Sequence, residues 1–199
     1  MQTESIVDAL LKEHHMLMTA RAYRHLRDLI AEKSLIRDQN FTLSSGEASN
    51  YFFNMKISML DPMGSNLIAD AMLDVLDTLD FDSVGGMAVG SVPLVTSIAT
   101  KSYLRSRHYP AFFVRKEVKD HGVQTNIDGN CTPGSRVVLV EDVTTTGGSI
   151  MRAVEAVREI GCEVDTVLTV VDRLEGAREN LSKERIRLIP LYTRADFEE

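Results

Sequence analysis

The fold of this chain is decided by thirteen residues, Val137-Val-Leu-Val-Glu-Asp-Val-Thr-Thr-Thr-Gly-Gly-Ser149. They open with four branched apolar residues, a pattern typical of a strand that is buried on both faces of a parallel sheet. The strand ends in two acids, Glu141 and Asp142, and small residues then lead into a helical pattern from Ile150. Because ligands of open α/β sheets bind at the carboxyl ends of the strands, we expect a binding site here.

The turn after the strand suits a phosphate group. Gly147 and Gly148 let the backbone approach a ligand closely, and the N–H groups at a helix start form a nest for an anion. The acid pair, Glu141 and Asp142, cannot favour a phosphate by charge, so we expect it to serve the hydroxyls of a ribose, or a ribose with its magnesium ion. The alternative interpretation is a strand that ends in acids before a loop and a capped helix. Each feature alone favours that alternative, but the complete run favours a binding site.

The alternation of strand and helix patterns predicts the architecture. Helical patterns cover residues 5–33, a segment capped at Asp61-Pro62 that runs to residue 79, a segment that runs to 107, and residues 150–160. Further strands are expected at 83–89, 111–114, 164–171 and 186–192. The prediction is an α/β fold, with a parallel sheet of about five strands flanked by helices and a small N-terminal hood. Residues 1–60 would form the N-terminal helical segment and hood, and 61–199 the compact core domain.

The composition limits the partners and the compartment. The chain has 199 residues, 44% of them hydrophobic, and a formal net charge of −7, which argues against nucleic acid or an anionic membrane as the main partner. Cys131 and Cys162 lack metal-ligand spacing, so we expect two reduced thiols in a cytoplasmic protein. Acids at Glu4 and Asp8 leave no apolar signal-peptide core, and no stretch approaches the length of a membrane span.

Two other segments carry patterns of their own. Residues 41–54 predict two short strands joined by a Ser-Gly turn. A basic run with Arg115, Lys116, Lys119 and His121 follows the strand at 111–114 in an otherwise acidic protein. The default interpretation of such a run is a solvated loop, but its place after the carboxyl end of a strand favours a loop at the binding site.

Together these segments resemble the type I phosphoribosyltransferases, and among them the orotate phosphoribosyltransferases. Residues 137–149 resemble the phosphoribosyl-pyrophosphate (PRPP) motif, and residues 41–54 resemble the hood of that family. The basic run is similar to the family's Arg-Lys-x-x-Lys-x-His-Gly loop. The resemblance covers about residues 41–197, and it departs from the family at Ser44 and Glu47, where many members carry basic residues.

The resemblance implies a reaction and its partners. Ribose 5-phosphate would pass from PRPP to orotate, giving orotidine 5′-monophosphate and pyrophosphate in de novo pyrimidine biosynthesis. Magnesium would be bound mainly through PRPP, and no protein residue is predicted as a metal ligand. The protein would be a homodimer whose basic loop closes over the active site of the neighbouring subunit.

The resemblance also implies roles for particular residues. Backbone groups at Phe52 and Phe53 would meet the pyrimidine, and Arg173 would pair with the carboxylate of the base. The alternative for Arg173 is a structural pair with Asp172 or Glu175. The predicted catalytic residues are Lys116, Lys119, His121 and Asp142. The predicted substrate-binding residues are Phe52, Phe53, Arg115, Glu141, Asp142, Val143, Thr144, Thr145, Thr146, Gly147, Gly148, Ser149 and Arg173.

Two other functions remain open from the sequence. One is a phosphoribosyltransferase for another base, such as a purine, but the hood and the Arg173 segment argue against it. The other is a non-enzymatic regulator that keeps the PRPP motif to sense a ligand. An intact basic loop argues against a regulator, since a sensor has less need to stabilise a departing pyrophosphate.

Overall fold

The computed structural model describes residues 6–42, 48–116 and 126–198, with the backbone alone described for residues 6–19, 38–40, 42, 48 and 49. The elements in chain order are α1 (Ile6–Lys33), β1 (Leu35–Thr42), β2 (Ala48–Phe53), α2 (Met55–Met59), α3 (Pro62–Leu76), β3 (Ser83–Gly85), α4 (Val92–Leu104), β4 (Phe112–Val114), β5 (Ile127–Gly129), β6 (Arg136–Thr144), α5 (Gly148–Glu159), β7 (Glu163–Asp172), α6 (Ala177–Lys183), β8 (Arg187–Thr193) and a 3₁₀ turn (Arg194–Phe197). No helix in the described ranges is long and apolar enough to cross a membrane.

The centre of the molecule is a parallel sheet. Four strands pair in the order β3-β6-β7-β8. Strand β4 joins the free edge of β3 through two parallel bridges, Val84 to Ala111 and Met87 to Val114. The predicted α/β fold and the sheet of about five strands are therefore confirmed.

Apolar side chains cover both faces of the central strand β6, as its sequence predicts. Val138 and Val140 pack into the cluster that also contains residues of α1, α3 and α4. Val137 and Leu139 point to the opposite face and pack with residues of α5 and α6. Because successive side chains of a strand alternate between faces, an unbroken apolar run needs helices on both sides of the sheet.

The N-terminal hairpin is longer than predicted on its first strand. Strand β1 begins at Leu35, which pairs with Phe53 of β2 in an antiparallel register. Phe53 is buried and packs on Phe197, with ring centroids 5.2 Å apart, so the hairpin is attached to the main core. Ser44 and Glu47, where the sequence departs from the family, lie outside the described residues. The division of the chain at residue 60 stays a prediction.

The helix after the hairpin begins where its cap predicts. The Asp61 carboxylate accepts hydrogen bonds from the N–H groups of Met63 at 3.0 Å and Gly64 at 2.9 Å, and Pro62 occupies the first helical position. The helix ends at Leu76, three residues before the predicted end. The short elements α2, β5, α6 and the 3₁₀ turn were not predicted, because so few residues carry little periodicity.

Candidate active site

A pocket of about 840 Å³ opens at the carboxyl ends of β6 and β7. The structure gathers most of the predicted site residues on its wall: Phe52, Phe53, Lys116, Glu141, Asp142, Val143, Thr144, Thr145, Thr146, Gly147, Gly148, Ser149 and Arg173. Lys119 and His121 lie outside the described residues. The predicted strand end is therefore one wall of a cavity large enough for a small-molecule substrate.

Glu141 is buried at the floor of this pocket. Only 5% of the residue is exposed, and its Oε2 atom has no hydrogen-bond partner among the described residues. The other oxygen, Oε1, accepts a hydrogen bond of 3.3 Å from the backbone N–H of Asp142. Burial, and then the charge of Asp142, raise the pKa of Glu141 well above its usual range. A buried carboxylate oxygen without a partner destabilises the empty fold, and donors from a ligand would satisfy it.

Asp142 is more open than Glu141 and is fixed by the backbone. Its Oδ1 atom accepts a hydrogen bond of 2.8 Å from the N–H of Val143. Gly90, in the turn between β3 and α4, closes against the acid pair. A Cβ atom at Gly90 would lie 3.3 Å from Asp142 Oδ1 and 3.4 Å from Glu141 Oε1, so the glycine leaves room for a ligand there.

The turn of residues 144–149 leads directly into α5. Gly147 has a φ of +85°, a left-handed conformation that favours glycine. Helix α5 begins at the next residue, so the N–H groups of its first turn have no partner within the helix. These N–H groups and the positive end of the helix dipole make the start of α5 suited to an anion, as the sequence predicts.

Two bonds from the neighbouring segment brace this turn. The backbone N–H of Ala177 donates to the carbonyl oxygen of Thr145 at 3.0 Å. The side-chain amide of Asn180 donates to the carbonyl oxygen of Thr146 at 2.9 Å. The turn is therefore held in shape by α6 before any ligand binds.

The two described residues of the basic run take different positions. Lys116 lies on the pocket wall. The Nε atom of Arg115 lies 2.8 Å from Asp128 Oδ2, on the antiparallel partner strand β5, and Arg115 is not among the lining residues. Contact between Arg115 and a substrate stays a prediction.

Arg173 forms the structural pair of the alternative interpretation, with Glu175, while its contact with a base stays a prediction. It lies on the pocket wall with only 2% of the residue exposed, and its Nη2 atom is 2.8 Å from Glu175 Oε1. The alternative partner, Asp172, is bonded elsewhere: its Oδ1 accepts from the N–H of Leu174 at 3.0 Å. Arg173 thus has a structural partner and is also one of the residues that line the cavity.

Sequence reasoning missed two cations of the pocket wall, Lys56 and Arg152. Lys56 lies at the start of α2, and its charge acts to lower the pKa of Glu141, against the larger effect of burial. A signal existed for Lys56, because it is the only basic residue between the predicted hood and Asp61. Arg152 lies in the first turns of α5 and follows the predicted phosphate turn closely.

A parallel sheet that carries an acid pair and a turn suited to an anion at one strand end fits a phosphoribosyltransferase, and the phosphoribosyl transferase domain family matches residues 62–188. The orotate phosphoribosyltransferase of Rhodopseudomonas palustris (strain BisB5) is 44% identical over 176 residues, which are 86% of this chain and 94% of that protein. The orotate phosphoribosyltransferase of Methanocaldococcus jannaschii is 42% identical over 84% of this chain and 92% of its own length. This chain therefore belongs to the orotate phosphoribosyltransferase family.

The fold agrees with this membership. The crystal structure of the Mycobacterium tuberculosis H37Rv orotate phosphoribosyltransferase in complex with PRPP superposes with a TM-score of 0.74 at 35% identity. The superposition covers 88% of this chain and 98% of that chain. The family that the sequence resembles is thus confirmed.

Proposed function

We propose that the protein transfers the ribose 5-phosphate group of PRPP to orotate, giving orotidine 5′-monophosphate and pyrophosphate in pyrimidine biosynthesis. Family membership supports the reaction. The structural observation that carries it is the meeting of the acid pair, the turn of residues 144–149 and Arg173 in one pocket. Each matches one part of the substrates: the ribose hydroxyls, the 5′-phosphate and the carboxylate of the base.

The acid pair serves the ribose. When pyrophosphate leaves the anomeric carbon, the ribose becomes electron-poor and resembles an oxocarbenium ion. Carboxylates of Asp142 and Glu141 that accept hydrogen bonds from the ribose hydroxyls hold the ring and stabilise this positive charge. No nucleophilic side chain is needed, because positioning and charge stabilisation supply most of the catalysis.

The turn of residues 144–149 receives the 5′-phosphate. Its backbone N–H groups and hydroxyls donate to the phosphate oxygens, and the start of α5 adds the positive end of a helix dipole. Since α6 already holds the turn in shape, little ordering is required when the substrate binds.

The basic residues receive the departing pyrophosphate. Lys116 lies on the pocket wall. In our proposal it binds the pyrophosphate together with Arg115, Lys119 and His121. The overall charge of the chain is −7, so these cations create a local field that the rest of the protein does not provide. We infer a homodimer in which the basic loop of one chain serves the site of the other.

Magnesium fits this site as an ion carried by PRPP. Glu141 Oε2 is a buried oxygen without a partner among the described residues, and oxygen is the ligand that Mg²⁺ prefers. However, the described parts of the chain contain no group of three or more side chains that could hold a metal. In our proposal the ion is held mainly by substrate oxygens, with the acid pair beside it. When bound, Mg²⁺ would neutralise charge that develops on the pyrophosphate.

The compartment proposed is the cytoplasm. Cys131 and Cys162 are both free thiols, with Sγ atoms 3.8 Å apart and no disulfide between them. Reduced thiols at this distance fit a reducing environment, in which disulfides are rare.

One assay tests the proposed function. Purified protein is given PRPP and magnesium with orotate, uracil, adenine or hypoxanthine, and consumption of each base is followed. We expect turnover of orotate, dependent on both PRPP and magnesium, and little turnover of the other bases. Equal or faster use of a purine would reject the assignment. PRPP binding without turnover of any base would instead favour the regulator.

A further inference from the structure

Arg173 is held by two side chains that lie behind the pocket wall. Arg173 lines the cavity, whereas Tyr51 and Glu175 are not among its described lining residues. The Nε atom of Arg173 donates to Glu175 Oε1 at 3.0 Å and to the Tyr51 hydroxyl at 3.1 Å. With Nη2 2.8 Å from the same Glu175 oxygen, the guanidinium is fixed by residues outside the cavity.

Tyr51 completes the network from the hood. Its hydroxyl donates to Glu175 Oε1 at 2.9 Å, and its ring lies 4.2 Å from Arg173 Cζ, within cation–π distance. Tyr51 belongs to β2, while Arg173 and Glu175 follow the end of β7. The network therefore joins the hood to the core at the place where a ligand would meet Arg173.

Stability alone does not account for this arrangement. Glu175 Oε2 is buried and has no hydrogen-bond partner in the described part of the chain. Burying a carboxylate oxygen without a partner opposes folding, so the ion pair is a poor device for stabilising the empty protein. It is a good device for orienting a guanidinium, since an arginine that is fixed beforehand loses less conformational entropy when a ligand binds.

We propose that Glu175, assisted by Tyr51, is a positioning residue that orients Arg173 for the carboxylate of the base. The inference rests on the proposed function, in which Arg173 contacts orotate. Glu175 touches no substrate and acts only through Arg173. Because orotate carries a carboxylate that uracil lacks, loss of Glu175 weakens recognition of orotate. Use of PRPP is preserved, since its phosphates are held by other residues.

The test compares Glu175→Ala with Glu175→Gln by steady-state kinetics. Glu175→Ala is expected to raise the KM for orotate by about tenfold or more, since misplaced contacts weaken binding strongly. The KM for PRPP should stay near its wild-type value. In Glu175→Gln the amide oxygen can accept the same hydrogen bonds, and the amide nitrogen takes the place of Oε2, so the KM for orotate should return close to wild type. A KM for orotate near wild type in Glu175→Gln would separate positioning from a simple effect of charge. If Glu175→Gln instead raised the KM for orotate as much as Glu175→Ala does, the inference would be overturned.

The matched control is Glu184→Ala. Glu184 also pairs with an arginine, Arg158, with Oε2 and Nη1 3.0 Å apart, but this pair is exposed and neither residue lines the pocket. Its removal should change neither KM. If Glu175→Ala instead raised both KM values together with a lower melting temperature, Glu175 would be only structural and the inference would be wrong.

Arg173→Ala distinguishes this inference from the proposed function. If it raises the KM for orotate while Glu175→Ala does not, the positioning role is rejected and the base contact stands. If Arg173→Ala leaves the KM for orotate unchanged, the base contact itself is rejected. Should Glu175→Ala fail to fold, Tyr51→Phe keeps the ring and removes the hydroxyl. It is expected to raise the KM for orotate by about threefold, the effect of one neutral hydrogen bond, and no change would overturn the inference.

Discussion

The backbone N–H of Arg173 donates a hydrogen bond of 2.9 Å to the carbonyl oxygen of Thr144. This bond joins the ends of β6 and β7, where Thr144 pairs with Asp172 in the parallel register. The Thr144 hydroxyl adds a bond of 3.3 Å to Asp172 Oδ1. The turn of residues 144–149, proposed to bind the phosphate, and the arginine proposed to bind the base are thus held at a fixed spacing by the sheet itself. Fixed spacing matters because catalysis in this reaction depends mainly on positioning.

Asp142→Asn should lose most activity and remain folded. Asparagine keeps the oxygen that accepts from the N–H of Val143, so the backbone at the strand end is preserved. It lacks the negative charge that would stabilise the electron-poor ribose, and we expect kcat/KM to fall by roughly 100-fold. Asp165→Asn, at an exposed position of β7, is the control and should retain activity. Turnover near the wild-type rate in Asp142→Asn would show that the acid is structural.

Glu141→Gln should stabilise the protein at neutral pH while it lowers activity. Burial and Asp142 raise the folded-state pKa of Glu141 above the value of about 4.3 for an exposed glutamate. The folded state then binds a proton more tightly than the unfolded state. The free energy of unfolding therefore falls as the pH rises from about 4 toward the folded-state pKa. Glutamine does not ionise, so the free energy of unfolding of the variant does not fall in this way as the pH rises.

The measurement for Glu141→Gln is the melting temperature at two pH values. At pH 7 the melting temperature of the variant should exceed that of wild type, by about 2–4 °C for each kcal/mol added to the free energy of unfolding. Near pH 4 the two melting temperatures should converge. Glu159→Gln, at an exposed position at the end of α5, should show no difference at either pH. If Glu141→Gln and wild type differed in melting temperature by the same amount at both pH values, ionisation of Glu141 would not be the cause of the difference.

Lys56→Met should move the acidic limb of the pH profile of kcat/KM to higher pH. The charge of Lys56 lowers the pKa of Glu141, so its removal raises that pKa further and delays formation of the carboxylate. Lys56→Arg keeps the charge and is the control that should leave the limb in place. If methionine and wild type give the same profile, Lys56 does not influence the acid pair during turnover.

The basic loop should act across the dimer. Mixing inactive Lys119→Ala protein with inactive Asp142→Asn protein should restore activity, because one site of each mixed dimer receives an intact loop and an intact acid pair. With random exchange about half of the dimers are mixed, so recovery should approach roughly a quarter of wild-type activity. Subunit exchange is verified with differently tagged chains. If exchange occurs and no activity returns, each chain closes its own loop.

Arg173→Ala should weaken orotate strongly and PRPP little. Loss of a charge-assisted contact from a dry site costs on the order of 2–5 kcal/mol, which corresponds to roughly thirty-fold or more in affinity. Lysine should rescue only partly, because a point charge cannot reproduce the planar fork of a guanidinium. Alanine also leaves Glu175, a half-buried residue with a buried Oε2 atom, without the guanidinium that it pairs with, so the melting temperature of Arg173→Ala should fall as well. Orotate and PRPP affinities are measured by calorimetry on the folded protein.

Local patterns were enough to predict the fold and the strand that carries the site. The run from Val137 to Val140 is apolar at every position, which predicts a central parallel strand, and the residues that follow it form the predicted turn. Gly147 adopts the left-handed conformation for which glycine is suited. These features depend on neighbours in sequence, so the sequence determined them.

Only the tertiary structure decided which distant side chains meet. Arg173 and Tyr51 are 122 residues apart in sequence, and Arg115 pairs with Asp128 across two strands. The unpartnered oxygen of Glu141 and the place of Lys56 on the pocket wall likewise depend on how the hood and the sheet pack. The physical reason is that hydrophobic periodicity sets an element and its buried face, whereas contacts between elements are set by how those faces fit together.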